Sequence, residues 1–224
     1  IKKFKKYEEK IKYIVVDDLP KIVKKFKKHW HTAHARDQFQ RNSLVRGLSD
    51  CDPDDLIMIS DVDEIPNPKK ISDFKKEDKY VCFIQANFLL KFNLLNITEP
   101  KWYGTRMCRK KDLKSPQWLR EIKPRKIPFY KFYKPKFDKF IENGGWHFSS
   151  VKNAEGIYKK LNSYSEQQWN NEKFKNMEII KRKIDQKKDL FDRNYNYKVL
   201  KIDSSFPKYI CDNKEKLKEL LYEN

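Results

Sequence analysis

Three carboxylates crowd into four residues at Asp61-Val62-Asp63-Glu64. They follow the short apolar run Leu56-Ile57-Met58-Ile59 and precede Ile65-Pro66. A run of this length, opened by the turn-forming Asp52-Pro53-Asp54-Asp55, predicts a strand buried on both faces, as in a parallel sheet. The carboxylates then stand at the carboxyl end of that strand, where open α/β sheets bind ligands. At the turn, Asp61 and Asp63 can converge on one cation. Oxygen ligands suit a hard ion, Mn2+ or Mg2+, whose remaining positions go to phosphate oxygens and water. A metal on a diphosphate stabilises the charge of a departing phosphate. Glu64 adjoins that site and is the first candidate for a general base. Two aspartates one residue apart also occur in solvated turns, so the preceding strand carries the weight of the reading.

Other residues could join them. Arg41, in Gln40-Arg41-Asn42, shares a helical face with Val45 and Leu48, at spacings of four and seven. It therefore points inward or to the rim of a site, where a guanidinium needs an anion. A nucleotide phosphate or Asp61 would serve, and a plain structural ion pair is the ordinary alternative. His147 follows two glycines in Gly144-Gly145-Trp146-His147, where the backbone can approach a neighbour closely. It reads either as a third metal ligand or as a packed core residue. Trp102, Tyr103 and Gly104 offer flat aromatic surface for a base or sugar, or else core packing. Glu121, beside Arg120, and Glu99 are further candidates for the base.

The elements that must position these residues are legible from periodicity and punctuation. We expect an exposed helix over 1–10, a strand over 11–16 and a helix over 35–48. Strands follow at 80–86 and 103–107, then an irregular loop over 121–140 interrupted by prolines. Gly144-Gly145 reads as a tight turn. A helical stretch runs over 153–188, broken near Trp169, followed by a strand at 198–202 and a helix at 214–222.

The chain has 224 residues, enough for one sizeable domain. Hydrophobic residues make up 38% and charged residues 37%, the latter above the usual ~25%. The net charge is +19, but lysines run from Lys2 to Lys218 rather than gathering in one stripe. That distribution reads as a solvated surface more than as a nucleic-acid interface. Four cysteines match neither a zinc pattern nor a disulfide framework, and Cys82 reads as a buried thiol in a reducing compartment. No apolar run is long enough to span a membrane, and no signal peptide is visible. The chain starts at Ile1, and an upstream segment carrying a further strand is expected.

Taken in order, these segments resemble glycosyltransferase family 17. The resemblance rests on Gln40-Arg41-Asn42, Gly47-Leu48, Pro53-Asp54-Asp55, and the run from Ile59 to Pro66. It continues through Trp102-Tyr103-Gly104, Gly145-Trp146-His147-Phe148-Ser149 and the stretch from Glu155 to Leu161. It implies an α/β, GT-A-like nucleotide-sugar-binding fold in one domain, with a mostly parallel central sheet flanked by helices. It also implies inverting transfer of N-acetylglucosamine from UDP-GlcNAc to a glycan acceptor. By the resemblance, Asp61 and Asp63 hold metal and diphosphate, His147 completes the metal site, and Arg41, Asn42, Trp102, Gly104 and Trp146 lie near the donor. The animal enzymes of the family carry a membrane anchor and stalk, so a bacterial or viral enzyme acting on another glycan is the closer expectation. Two rivals come from other classes. A metal-dependent nuclease or phosphodiesterase needs a second set of carboxylates near Asp61, and none has suggestive spacing. A non-catalytic glycan or nucleic-acid binder would bind by charge or aromatics and be indifferent to UDP.

Overall fold

The computed structural model describes residues 2–20, 30–124, 133–162, 174 and 176–223. The expected helix break near Trp169, and the middle of the expected 121–140 loop, lie outside the described residues. Among those residues the helices are α1 (Trp30–Ser43), α2 (Pro116–Glu121), α3 (Ala154–Asn162), α4 (Met177–Asp185) and α5 (Lys208–Asp212), with short 3-10 turns between elements. The strands are β1 (Leu56–Ile59), β2 (Glu64–Pro66), β3 (Val81–Leu89), β4 (Leu94–Asn96), β5 (Lys101–Arg109), β6 (Lys139–Ser149) and β7 (Tyr197–Val199).

All seven strands form one sheet in the order β1-β5-β3-β4-β7, with β6 on the other side of β3 and β2 beyond it. The pairings β1–β5, β5–β3, β3–β4, β4–β7 and β2–β6 are antiparallel, and only β3–β6 is parallel. The expected mostly parallel sheet is therefore corrected to a mostly antiparallel one. A four-residue apolar run does not distinguish the two. In β1 the burial alternates, with Ile57 and Ile59 buried and Leu56 42% exposed. That is the pattern of a half-covered strand rather than one buried on both faces.

The central strand β3 organises the core. Cys82 faces a cluster with Ile57, Ile59, Cys108, Leu119 and Ile122, which docks α2. Val81 and Phe83 face Met107 and Ile141 on the opposite side, covered by Ile71 and Phe74. Beyond the strand, Leu90 and Leu94 pack with Ile157, Leu161, Ile180 and Ile184 and seat α3 and α4 on the sheet. Asn93 ties the C-terminal segment to this edge, donating to the carbonyls of Leu200 and Tyr222 and accepting from the Tyr222 amide. The four cysteines are free thiols, and burial pushes Cys82 up to about 12. No described helix is long and apolar enough to cross a membrane.

Two local expectations change. Residues 11–16 form no strand: Tyr13 and Val15 are exposed, and the segment lies along the 3-10 turn Leu44–Leu48, held by Lys12 to Asp50 and by Ile14 against Gly47. Gly144-Gly145 is not a turn but the middle of β6. Between the pairs Phe83↔Ile141 and Gln85↔Gly145, β3 advances two residues while β6 advances four. The glycines absorb that bulge. Gly145 has φ +138°, and a Cβ there would lie 2.1 Å from the Ile65 carbonyl oxygen. The bulge sets the register in which His147 stands opposite Glu64 on one side and Asn87 on the other.

Gly145→Ala should therefore destabilise the protein by about 1–3 kcal/mol, the usual cost of an L-residue forced into a glycine-only conformation. The midpoint of urea unfolding measures it, and an unchanged midpoint would mean that the bulge relaxes without strain.

Candidate active site

The register of β2, β3 and β6 brings His147 into a buried position, 6% exposed, with its ring stacked on Trp102 at 4.1 Å and 8°. Asn87 determines the tautomer. Its Nδ2 donates to the Glu99 carbonyl at 2.9 Å, so its Oδ1 faces His147 Nδ1 at 3.0 Å as an acceptor. Nδ1 must then carry the hydrogen, and in the neutral ring Nε2 keeps its lone pair. That lone pair points at Asp63 Oδ2, 3.6 Å away. Two acceptors facing each other call for a proton or a cation between them. When a proton occupies Nε2, the hydrogen bond and charge of His147, with the Lys160 ammonium, outweigh the upward push of burial and hold the Asp63 carboxyl below the usual carboxylate range.

Asp61 turns the other way. Its Oδ1 accepts from Arg41 Nη2 at 3.0 Å and its Oδ2 from Arg120 Nη2 at 2.8 Å. The expected convergence of Asp61, Asp63 and His147 on one ion is therefore not seen. Among the described residues no set of three His, Cys, Asp or Glu side chains converges to cage a metal. Of Asp61, Asp63 and His147, the last two remain side by side, with Nε2 and Oδ2 3.6 Å apart. The Asn87 contact fixes the rotation of the histidine ring.

Glu64 lies under this pair with a fully covered side chain. Arg120 grips it with both nitrogens, Nη1 to Oε2 and Nη2 to Oε1 at 2.8 Å each. Trp102 Nε1 donates to Oε1 at 2.9 Å and the Asp61 amide to Oε2 at 3.1 Å. Both carboxylate oxygens are saturated by donors, so Glu64 holds Arg120, Trp102 and the Asp61 turn in place. This geometry weighs against Glu64 as the proton acceptor.

The remaining expected site residues do not all face that centre. Asn42 accepts from the Gln117 amide at 3.0 Å and so joins α1 to α2. Arg41 donates to Gln117 Oε1 at 2.5 Å as well as to Asp61. The Gly104 carbonyl accepts from Arg120 at 2.9 Å, and a Cβ at Gly104 would collide with Gln85 Oε1 at 1.8 Å. Trp146, on the opposite face of β6 from His147, packs near Phe88 and Phe148 and donates to the Ser205 carbonyl. Glu121 is exposed and accepts from Gln117 Nε2.

Two hollows open on either side of Trp102. A cavity of about 460 Å³ contains Asp61, Asp63, His147, Ser150, Lys160 and Asp189. A wider cleft of about 890 Å³ contains Arg41, Arg106, Arg120, Gln117 and Glu121. Trp102 and Glu99 line both. Glu99 is the one carboxylate common to the two among the described residues, and it accepts from Tyr195 OH at 2.7 Å. The sequence reading did not single out Asn87, Lys160 or Arg106. The available signal was a polar side chain at the end of an apolar strand for Asn87, and an arginine inside the run Thr105-Arg106-Met107-Cys108 for Arg106.

The family model described as "Glycosyltransferase family 17" matches residues 1–223. Searches of curated proteins and of solved structures returned no match. A match over the whole sheet and both hollows defines a sugar-transferring enzyme. The chain belongs to glycosyltransferase family 17.

Removing one partner of the buried Glu64–Arg120 pair strands the other charge, so Arg120→Met should cost about 3–5 kcal/mol of unfolding free energy. A loss below about 1 kcal/mol would show that solvent reaches the pair. A second test concerns Asp189, which shapes the cavity wall. Burial pushes its carboxyl up, but the Arg193 guanidinium and the Phe191 and Arg193 amides outweigh this and hold it below its ordinary 3.8. A depressed folded value stabilises the ionised state, so the contribution is full above 3.8 and is lost as pH falls through the folded value. Asp189→Asn should therefore be less stable than wild type at pH 7, with the gap closing below pH 3.8. A gap that persists in acid would mean that the loss is steric.

Proposed function

We propose that this enzyme transfers N-acetylglucosamine from UDP-GlcNAc to a glycan hydroxyl, with inversion, using Mn2+ or Mg2+ held by Asp63 and His147. The observation that carries the reading is the Asp63–His147 pair, whose tautomer Asn87 sets so that a nitrogen lone pair and a carboxylate oxygen face one point in a cavity. When bound there, a divalent ion supplies the positive charge that stabilises a departing diphosphate. Lys160 adds a second positive charge to the same cavity. Its pKa is lowered, chiefly by burial, while the Asp63 charge opposes that effect. The diphosphate of the donor is thus assigned to the smaller cavity and the acceptor to the wider cleft.

Inversion in a single displacement requires one base on the acceptor side of the anomeric carbon. That base has to reach both hollows. Glu99 lines both, whereas Glu64 is saturated by donors and Glu121 stands on the cleft wall alone. Glu99 is accordingly assigned the proton of the acceptor hydroxyl, with Tyr195 OH holding its carboxylate. Trp102 keeps the His147 ring plane fixed by stacking and is itself pinned by its N–H to Glu64. Asp61 serves by holding Arg41 and Arg120 at the rim between the hollows.

Thermal unfolding with Mn2+ and UDP or UDP-GlcNAc at about 100 times the dissociation constant should raise the melting temperature by about 5–10 °C. The shift should vanish without the metal and in Asp63→Ala. An equal shift in the absence of metal would overturn the metal assignment. Glu99→Gln should lower kcat by about 10²–10⁴-fold while leaving the UDP shift intact. Turnover near the wild-type rate would remove Glu99 from the role of base.

A further inference from the structure

Arg106 stands apart from the other arginines of the wider cleft. It lies on β5, is 6% exposed, and lines the cleft beside Arg120. Arg120 is compensated by Glu64 and Asp61, Arg41 by Asp61, and Lys101 by Glu142. Arg106 has no such partner among the described residues. Its Nη1 reaches the Gly104 carbonyl at 3.3 Å, its guanidinium lies 5.8 Å from the Phe137 ring centre, and its buried Nε has no hydrogen-bond partner. Burial, with the neighbouring Arg120 charge, pushes its pKa down to about 10, and Glu64 and Asp61 offset this only in part. The cleft is also lined by Lys123 and Pro124.

A buried guanidinium with an unsatisfied N–H is costly unless an anion meets it. An arginine fork matches a carboxylate or phosphate through two parallel hydrogen bonds. We infer that the Arg106 end of the cleft is a receptor for an anionic group carried by the acceptor, so that the enzyme glycosylates acidic sugars in preference to neutral ones. The inference rests on the assignment of the donor to the smaller cavity and the acceptor to the cleft. The anionic group is a uronic-acid carboxylate or a sugar phosphate, two sources of the same chemistry.

The test is calorimetric titration of the full chain, at constant ionic strength, with glucuronate, glucose 6-phosphate and glucose. The variants are Arg106→Gln and, as an equal loss of charge on the distant exposed surface, Lys216→Gln. On wild type and Lys216→Gln at least one anionic sugar should bind about 10-fold or more tightly than glucose. The stronger of the two tells carboxylate from phosphate. In Arg106→Gln the preference should vanish while binding of UDP with Mn2+ is unchanged, and the variant should melt no lower than wild type because an unpaired buried charge has been removed. Should that variant not fold, Arg106→Lys keeps the charge and loses the fork, and should cut the preference by about 3-fold or more. Equal binding of acidic and neutral sugars on wild type, or a preference that survives in Arg106→Gln, overturns the inference. A matching loss of UDP affinity in Arg106→Gln would overturn it too, by placing Arg106 in the donor site. Failure of UDP and Mn2+ to bind wild type would instead count against the donor assignment, and the two failures are separately visible.

Discussion

The buried carboxylate of Glu64, gripped by the Arg120 fork, is the interaction on which the site depends. Charges without solvent are tolerated only with saturated geometry, and Glu64 has four donors for its two oxygens. The four donors come from three different parts of the machinery. Trp102 is the partition between the hollows, Arg120 is the wall of the cleft, and the Asp61 amide begins the acidic turn. The same arginine then reaches Asp61 and the Gly104 carbonyl. A single α2 side chain thereby locks β5, β2 and the turn before β2 into one unit. A low local dielectric makes such a network stiff when complete and costly when broken.

From that unit a chain of oriented groups leads to the candidate metal pair. Trp102, held by Glu64, stacks flat on His147, and Asn87 sets the proton on the far nitrogen. The His147 ring is therefore constrained in plane, in rotation and in tautomer before any ligand arrives. Such preorganisation removes reorganisation from the moment of reaction, which is where fixed dipoles and charges are most effective. The glycine bulge of β6 belongs to the same logic. Without the two extra residues opposite β3, His147 would not stand across from both Glu64 and Asn87.

Much of this was legible in the sequence, and the parts that were not share a cause. The acidic turn followed from residue types and short spacings, while for Arg41 an anionic partner was expected with Asp61 as one alternative, and for His147 either a place beside the aspartates or a packed core position. The direction of each carboxylate was not legible. Asp61 and Asp63 are separated by one residue, and alternation sends them to different partners unless the turn curls back. Whether it does is decided by Arg41 and Arg120, distant in sequence from the turn. The sheet direction was misread because four apolar residues look alike in parallel and antiparallel strands, and the burial that tells them apart is tertiary. Gly144-Gly145 was read as a turn because positive φ is commonest there, yet a bulge inside a strand needs the same freedom. Asn87 and Arg106 are single polar residues in apolar strands. Periodicity treats them as exceptions, although a polar exception in a core is where function concentrates.

The two arginines that flank the cleft show why that rule holds. Arg106 and Arg120 are neighbours, both mostly buried, and each repels the other. One is fully compensated and lies at the centre of the stabilising network. The other keeps an unmet N–H and a depressed pKa, a state that a structure selected for stability alone would have replaced with an apolar residue of the same length. Arg106 lines the cleft rather than a sealed core, and on the inference above an anion there would offset its charge. The smaller cavity has the opposite character: Asp63, Asp61, Asp189 and Glu99 outnumber Lys160 and Arg193 among its charged walls. An acidic chamber and a cationic cleft thus meet at one indole and one glutamate, and on the proposed assignment the difference in charge would separate the two substrates before shape does.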